Sequence, residues 1–322
     1  MQELAVYTTL LEDEITRLDF PKTPSNLYDP LRYFMQLGGK RMRPILTFLG
    51  AELFGLKKEA VIHAALSVEV FHNFTLIHDD IMDEAPLRRA KETVHTKWNQ
   101  NIAILSGDVL FVKAFQLLAK QDPKHLADLL NVFNRTAQEV CEGQQMDMDF
   151  ESRSNVTIDE YIEMIRLKTS VLLGCALELG AIVAEASLDD RQHLYDFGQH
   201  LGIAFQIQDD ILDLYADPEK FGKQVGGDVI ANKKTLLNLK ARELANAVQV
   251  EQLNRLETEQ DLILKVAQTR DLFSDIGARI ACEIEMQKHY DFAMNSLKQI
   301  NVADKNKQSL IALADFLMQR EN

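Results

Sequence analysis

The chain has 322 residues, 46% of them hydrophobic, with only 14 glycines and 7 prolines. That supplies ample material for a core, and with little strand-like alternation and long stretches of helical periodicity it predicts an all-α fold. The formal charge of −14 argues against nucleic acid and against an anionic membrane surface as partners, so any phosphate must be bound locally.

Residues 2–18 place Leu4, Leu10, Leu11, Ile15 and Leu18 at helical spacing, a helix expected to pack on the outside of the domain or on a partner. The start is acidic and amphipathic, unlike a signal peptide. PKTPSN breaks it, and residues 27–37 form a short helix ended by Gly38 and Gly39. The basic run GGKRMRP follows; it suits an anion site, though taken alone it reads better as an ordinary helix C-cap with solvated cations. A helix from about 41 stops at Gly55, and a long one of about 40 Å runs from 58 to 84, ending on Asp79, Asp80 and Asp83. Pro86 forces a loop that carries Arg88 and Arg89.

Residues 100–120 and 123–150 form two more long helices, the second opened by Asp122 as cap and Pro123 in its first turn. Asp147 and Asp149 near its end have the character of surface residues. Thr157 to Glu160 is a capping box that starts the next helix, and this helix is expected to break near Lys168 and Thr169, at a kink that a phosphate could reach or at a simple turn. The apolar run 171–184 contains Glu178 and is too short to span a bilayer, so it is a core helix and no membrane span is expected. From Leu188 to about Ala216 a further helix ends on Asp209, Asp210 and Asp213, stopped by Asp217 and Pro218. The loop FGKQVGGDVIANKK brings Lys223, Lys233 and Lys234, with Gly222, Gly226 and Gly227 leaving it free to close. The remaining helices carry no motif with chemistry of its own. No Gly/Ser/Pro linker divides the chain, which predicts one domain over 1–322. Cys141, Cys175 and Cys282 are widely spaced and form no metal or redox motif, which fits a reducing cytoplasm.

The pattern DDxxD thus occurs twice, about 130 residues apart. In each copy the first and last aspartates are four apart and share one helix face. Like charges about 4 Å apart repel by roughly 4 kcal/mol at an effective dielectric near 20, so such clusters call for a cation. All candidate ligands are carboxylate oxygens, which favours Mg²⁺ over Zn²⁺, and Mg²⁺ held by few carboxylates shares its shell with substrate phosphates. A diphosphate substrate follows. A lone DDxxD would be better explained as a solvated helix end, but both copies follow apolar residues, FTLIH and AFQIQ. Neither stretch has the Gly and Glu positions of an EF-hand.

Taken in order, GGKRMRP, HDDIMDEAPLRR, the Lys168-Thr169 pair, FQIQDD with its DDILD, and the GK…GGD…K loop resemble the trans-isoprenyl diphosphate synthases, the polyprenyl synthetase family, over nearly the whole chain. The resemblance implies a single-domain bundle of long helices of the isoprenoid synthase type, with the two aspartate motifs across a deep central cavity, usually as a homodimer. It implies head-to-tail condensation of isopentenyl diphosphate with an allylic diphosphate (dimethylallyl, geranyl or farnesyl). Asp79, Asp80, Asp83 and Asp209, with Asp210 and Asp213 nearby, would hold about three Mg²⁺ ions. Arg88, Lys168, Lys223 and Lys233 would grip the allylic diphosphate, and Lys40, Arg43, His72 and Arg89 would hold isopentenyl diphosphate. Dipoles at Thr169 and Gln206 would stabilise the carbocation without trapping it.

One departure is Ala90, where a Gly commonly follows the arginine pair; it restrains the loop if that position needs φ > 0. The first motif lacks the two-residue insertion of many bacterial farnesyl diphosphate synthases, which makes the chain look like the geranylgeranyl type. Phe74, about 7.5 Å deeper along the helix than Asp79, with Thr75 beside it, occupies the position that sets chain length in the family, or is plain core packing. A class I terpene cyclase would need no second diphosphate site, whereas Lys40, Arg43, His72 and Arg89 supply one. A noncatalytic regulatory subunit would often have lost an aspartate motif, and both are intact here.

Overall fold

A computed structural model describes residues 2–216 and 225–319. The helical periodicity is realised along almost all of this length. In chain order the helices are α1 Gln2–Thr16, α2 Ser25–Met35, α3 Met42–Leu53, α4 Ile62–Met82, α5 Val94–Lys97, α6 Gln100–Leu118, α7 Leu126–Ser152, α8 Ile158–Ile165, α9 Val171–Val183 and α10 Leu188–Tyr215. After the undescribed stretch come α11 Gly227–Ile230, α12 Leu236–Leu244, α13 Ala247–Glu257, α14 Leu262–Ile276, α15 Ala278–Gln299 and α16 Asp304–Gln319. The fold is all-α. Among the described residues the β structure is a hairpin of two residues per strand, Leu87–Arg88 with Lys91–Glu92, inside the loop expected after Pro86.

The chain groups into two compact units, Met1–Phe133 with Cys175–Arg191, and Asn134–Gly174 with Gln192–Asn322. The first is built on α4, which packs along α6 and α3 and buries Phe71 against Phe74, Phe111 and Phe133. Helix α1 lies on α3 and α4 with Leu11 at 0% and Ile15 at 5% exposure, each such burial contributing about 1.5–3 kcal/mol. Helices α3 and α9 cross through a pair of glycines. A Cβ on Gly50 would stand 2.3 Å from the Leu177 carbonyl oxygen, and one on Gly180 2.2 Å from that of Thr47, so only glycine permits this approach.

The second unit centres on Tyr161, Ile165, Ile207, Ile211, Leu236, Leu253 and Phe273, drawn from five helices. Helix α8 opens with the expected capping box, Thr157 accepting from the Glu160 amide while Glu160 accepts from that of Thr157. The break expected at Lys168-Thr169 is absent. Residues Arg166–Ser170 form a π-turn that runs directly into α9: one wide turn keeps the backbone hydrogen-bonded while rotating the side chains that follow.

Candidate active site

Helix α4 delivers the first aspartates at its C-terminal end, where unpaired carbonyls favour cations. Asp83 is the C-cap, its amide donating to the Asp79 carbonyl at 2.8 Å. Asp79 is half-buried and Asp83 exposed, both on one face. Asp80 turns away from them. It is 1% exposed and takes a fork from Arg88, Nε to both carboxylate oxygens at 2.8 and 2.9 Å and Nη2 at 2.8 Å. Burial raises its pKa and Arg88 opposes the rise.

The hairpin that carries Arg88 turns through Arg89 and Ala90, both at positive φ, 53° and 59°, as a two-residue type I′ turn requires. Ala90 therefore sits where glycine would be unstrained. The Arg89 guanidinium lies against Gly39 and donates to the Gly38 carbonyl, which joins the two basic segments. Arg43 donates to His72 Nε2 across 3.0 Å. Burial, and then Arg43, hold the His72 imidazole well below its ordinary pKa, so it is neutral and accepts; burial also pushes Arg43 down to about 10.

Arg41, indistinguishable by sequence from its basic neighbours, is the buried anchor of this segment. It binds Glu12 at 2.8 Å, Glu69 at 2.5 Å and the Met35 carbonyl at 3.0 Å, and Glu69 accepts in turn from Asn73. Lys40 and Arg43 thus flank a fixed ion pair. Phe74, half-buried, is wedged among Phe71, Phe111 and His78 with ring centroids 5.4, 5.1 and 4.8 Å away. Thr75 spends its hydroxyl on the His72 carbonyl at 2.8 Å.

The second unit holds a cavity of about 1290 Å³ whose lining includes Asp147, Lys168, Thr169, Gln206, Asp210 and Lys233. The π-turn aims Lys168 at Asp147, Nζ to Oδ2 at 2.6 Å. Asp147 is therefore a cavity residue, not only a surface one; the separation of 21 positions between the partners hid the pair from the sequence. Thr169 donates to the Gln206 Oε1 at 3.3 Å, and Gln206 donates to Asp210 at 3.3 Å. Asp210 also accepts from the Tyr161 hydroxyl and from the Leu236 amide at 3.4 Å. Burial pushes Asp210 up to about 7 against the pull of Tyr161. The Asp213 carboxylate accepts from the Asp228 amide at 3.0 Å, and its carbonyl from Gly226 at 2.6 Å, tying α10 to the GGD turn. Lys223, Gly222, Asp217 and Pro218 lie outside the described residues.

Each motif thus divides in the same way. The middle aspartate is buried on a protein donor, while the outer two, four residues apart, share a face. Among the described residues no three His, Cys, Asp or Glu side chains converge on a metal-sized point. Paired hard oxygens without a closed cage fit Mg²⁺, which keeps waters and substrate oxygens in its shell.

The polyprenyl synthetase family model matches residues 24–271. The chain belongs to the polyprenyl synthetase family. A geranylgeranyl pyrophosphate synthase of Geoglobus acetivorans is 36% identical over 315 residues, 97% of each chain. A geranylgeranyl diphosphate synthase of Methanosarcina mazei is 45% identical over 222 residues, 68% of each. The crystal structure of a geranylgeranyl pyrophosphate synthetase from Pyrococcus horikoshii superposes with a TM-score of 0.92 at 35% identity over 99% of both chains. As a polyprenyl synthetase the protein is a short-chain trans-prenyltransferase.

Proposed function

We propose that this prenyltransferase condenses isopentenyl diphosphate with allylic diphosphates as far as the twenty-carbon geranylgeranyl diphosphate, in a Mg²⁺-dependent reaction. The observation that carries this reading is the coexistence of two matched aspartate pairs with two separate basic groups. Asp79, Asp83, Asp209 and Asp213 are the proposed Mg²⁺ ligands, with Asp80 and Asp210 fixing the turns that present them. Bound Mg²⁺ neutralises diphosphate and makes it a leaving group.

Arg88, held by Asp80, with Lys168, Lys233 and Lys223, binds the allylic diphosphate by charge-assisted hydrogen bonds. Lys40, Arg43, His72 and Arg89 bind isopentenyl diphosphate; a neutral His72 that accepts from Arg43 leaves the arginine its full charge for phosphate. Thr169 and Gln206 stabilise the allylic cation, from which water must be kept.

The enzyme works as one domain, in the cytoplasm, and as a homodimer without a membrane span. Helices Lys58–Met82 and Gln100–Leu118 are apolar enough to span by composition. The first is mostly buried in its own unit; α6 leaves Leu105 and Val112 more than half exposed, a face suited to a second copy. Twenty carbons is favoured by Phe74, fixed among aromatic neighbours, and by the names of the relatives.

A Mg²⁺ titration of the wild type, Asp79→Ala and Asp209→Ala tests the reading. Each variant should lose at least about a hundredfold in kcat, since a lost ligand weakens charge stabilisation when the allylic bond ionises. Full turnover in the presence of EDTA would refute it.

A further inference from the structure

Tyr161 lines the cavity of the second unit yet lies outside the five stretches that carry the family resemblance. Its ring is 4% exposed in the core with Ile165, Ile207 and Ile211, and its hydroxyl has one partner worth the burial, Asp210. Asp210 in turn receives the Gln206 amide N–H and the Leu236 amide, and Gln206 receives the Thr169 hydroxyl proton. The Thr169 and Tyr161 hydroxyl protons and one Gln206 N–H are thus taken up by protein acceptors. Thr169 gives its proton to Gln206 Oε1, so its oxygen lone pairs remain for the cavity; Gln206 gives its N–H to Asp210, so its carbonyl, not its NH₂, faces Thr169. An amide turned over by 180° would present N–H donors and repel a developing cation.

We propose that Tyr161 is a positioning residue which, by clamping Asp210, fixes the orientation of the Gln206 amide and the Thr169 hydroxyl so that their oxygens are held ready for the allylic cation. Sequence and fold both serve this arrangement. The capping box at Thr157 starts α8 one turn before Tyr161, and the π-turn that follows brings Thr169, two turns further on, to the same cavity. Asp210 is thereby spent on protein donors, and its place in the second motif is to hold the dipoles and not a metal ion. The inference rests on the prenyltransferase reading of the cavity.

The test is a kinetic double-mutant cycle on the full-length enzyme with Tyr161→Phe, Gln206→Ala and the double variant, together with Mn²⁺ titration in the presence of inorganic diphosphate followed by electron paramagnetic resonance. Phe keeps the packed ring and deletes only the hydroxyl. Tyr161→Phe should lower kcat by about tenfold, with KM for both substrates and Mn²⁺ affinity within about twofold of wild type. Adding Tyr161→Phe to Gln206→Ala should cost little more, because the two act through one orientation.

Additive losses in the cycle would overturn the proposal, as would an unchanged kcat, or a loss of Mn²⁺ affinity in Tyr161→Phe. Asp210→Asn, close to isosteric, provides an independent arm should Tyr161→Phe fail to fold: kcat should fall while Mn²⁺ affinity is kept, in contrast to Asp209→Asn, and equal Mn²⁺ losses in the two would overturn it. A wild type that condenses no primer would sink the prenyltransferase reading and this inference together, whereas an active wild type with an indifferent Tyr161→Phe sinks this inference alone.

Discussion

At the scale of single residues, two strains in the chain have measurable consequences. Ala90 holds φ at 59°, the left-handed region that costs a side-chain-bearing residue about 1–2 kcal/mol. Ala90→Gly should raise stability by about 1 kcal/mol in urea denaturation, relief outweighing the added freedom of the unfolded chain; equal or lower stability would show that the turn is not strained. The second is the pair His200 and His289, whose Nδ1 atoms are 3.0 Å apart. Burial first, then His200, pushes the His289 imidazole down to about 4, so the folded state holds it neutral. An unfolded histidine titrates near pH 6.5; the stability from this group is therefore full above that value and is lost as pH falls toward 4, up to about 3 kcal/mol. His289→Gln should flatten the decline in unfolding free energy between about pH 7 and about pH 5, and an unaltered slope would assign the acid sensitivity elsewhere. The shared helix face of Asp79 and Asp83, and of Asp209 and Asp213, was legible in the sequence from their spacing, whereas Arg41 with Glu69 and Lys168 with Asp147 are pairs made only by folding.

At the scale of elements, the Lys168 turn shows how a helix can look broken and stay whole. No Pro or Gly marks Arg166–Ser170, so the sequence could suggest an interruption but not its kind; a π-turn adds one residue to a turn without a breaker. What permits it lies on another helix. A Cβ on Gly143 of α7 would stand 2.3 Å from the Lys168 amide nitrogen and 2.8 Å from Leu167. Gly143→Ala must push this turn off its seat, and overpacking of this kind costs about 1–3 kcal/mol. It should also lower kcat by more than about tenfold, because Lys168 and Thr169 move together. A variant of normal kinetics would show that the turn tolerates displacement. The hairpin at Leu87–Glu92 escaped the sequence for a plainer reason: with two residues per strand there is no alternation to see.

At the scale of the whole molecule, helix periodicity, scarce Gly and Pro, and a long run of ordered motifs made the all-α fold and the family readable before any coordinates. The division into two compact units, each returning to the chain through the middle of a helix, left no linker or change of composition for the sequence to display. Product length is the property on which fold, motif and packing converge. Phe74 stands on α4 one turn and a half before Asp79, against Phe71 and Phe111. The most direct measurement is chromatographic sizing of the prenyl diphosphates formed from isopentenyl diphosphate, Mg²⁺ and each allylic primer by the wild type and by Phe74→Ala. The wild type should stop at twenty carbons, with nothing formed in EDTA, and Phe74→Ala should run on to longer chains. No condensation with any primer would contradict the proposed function, and a folded Phe74→Ala with the wild-type product profile would contradict the place given to Phe74 in it.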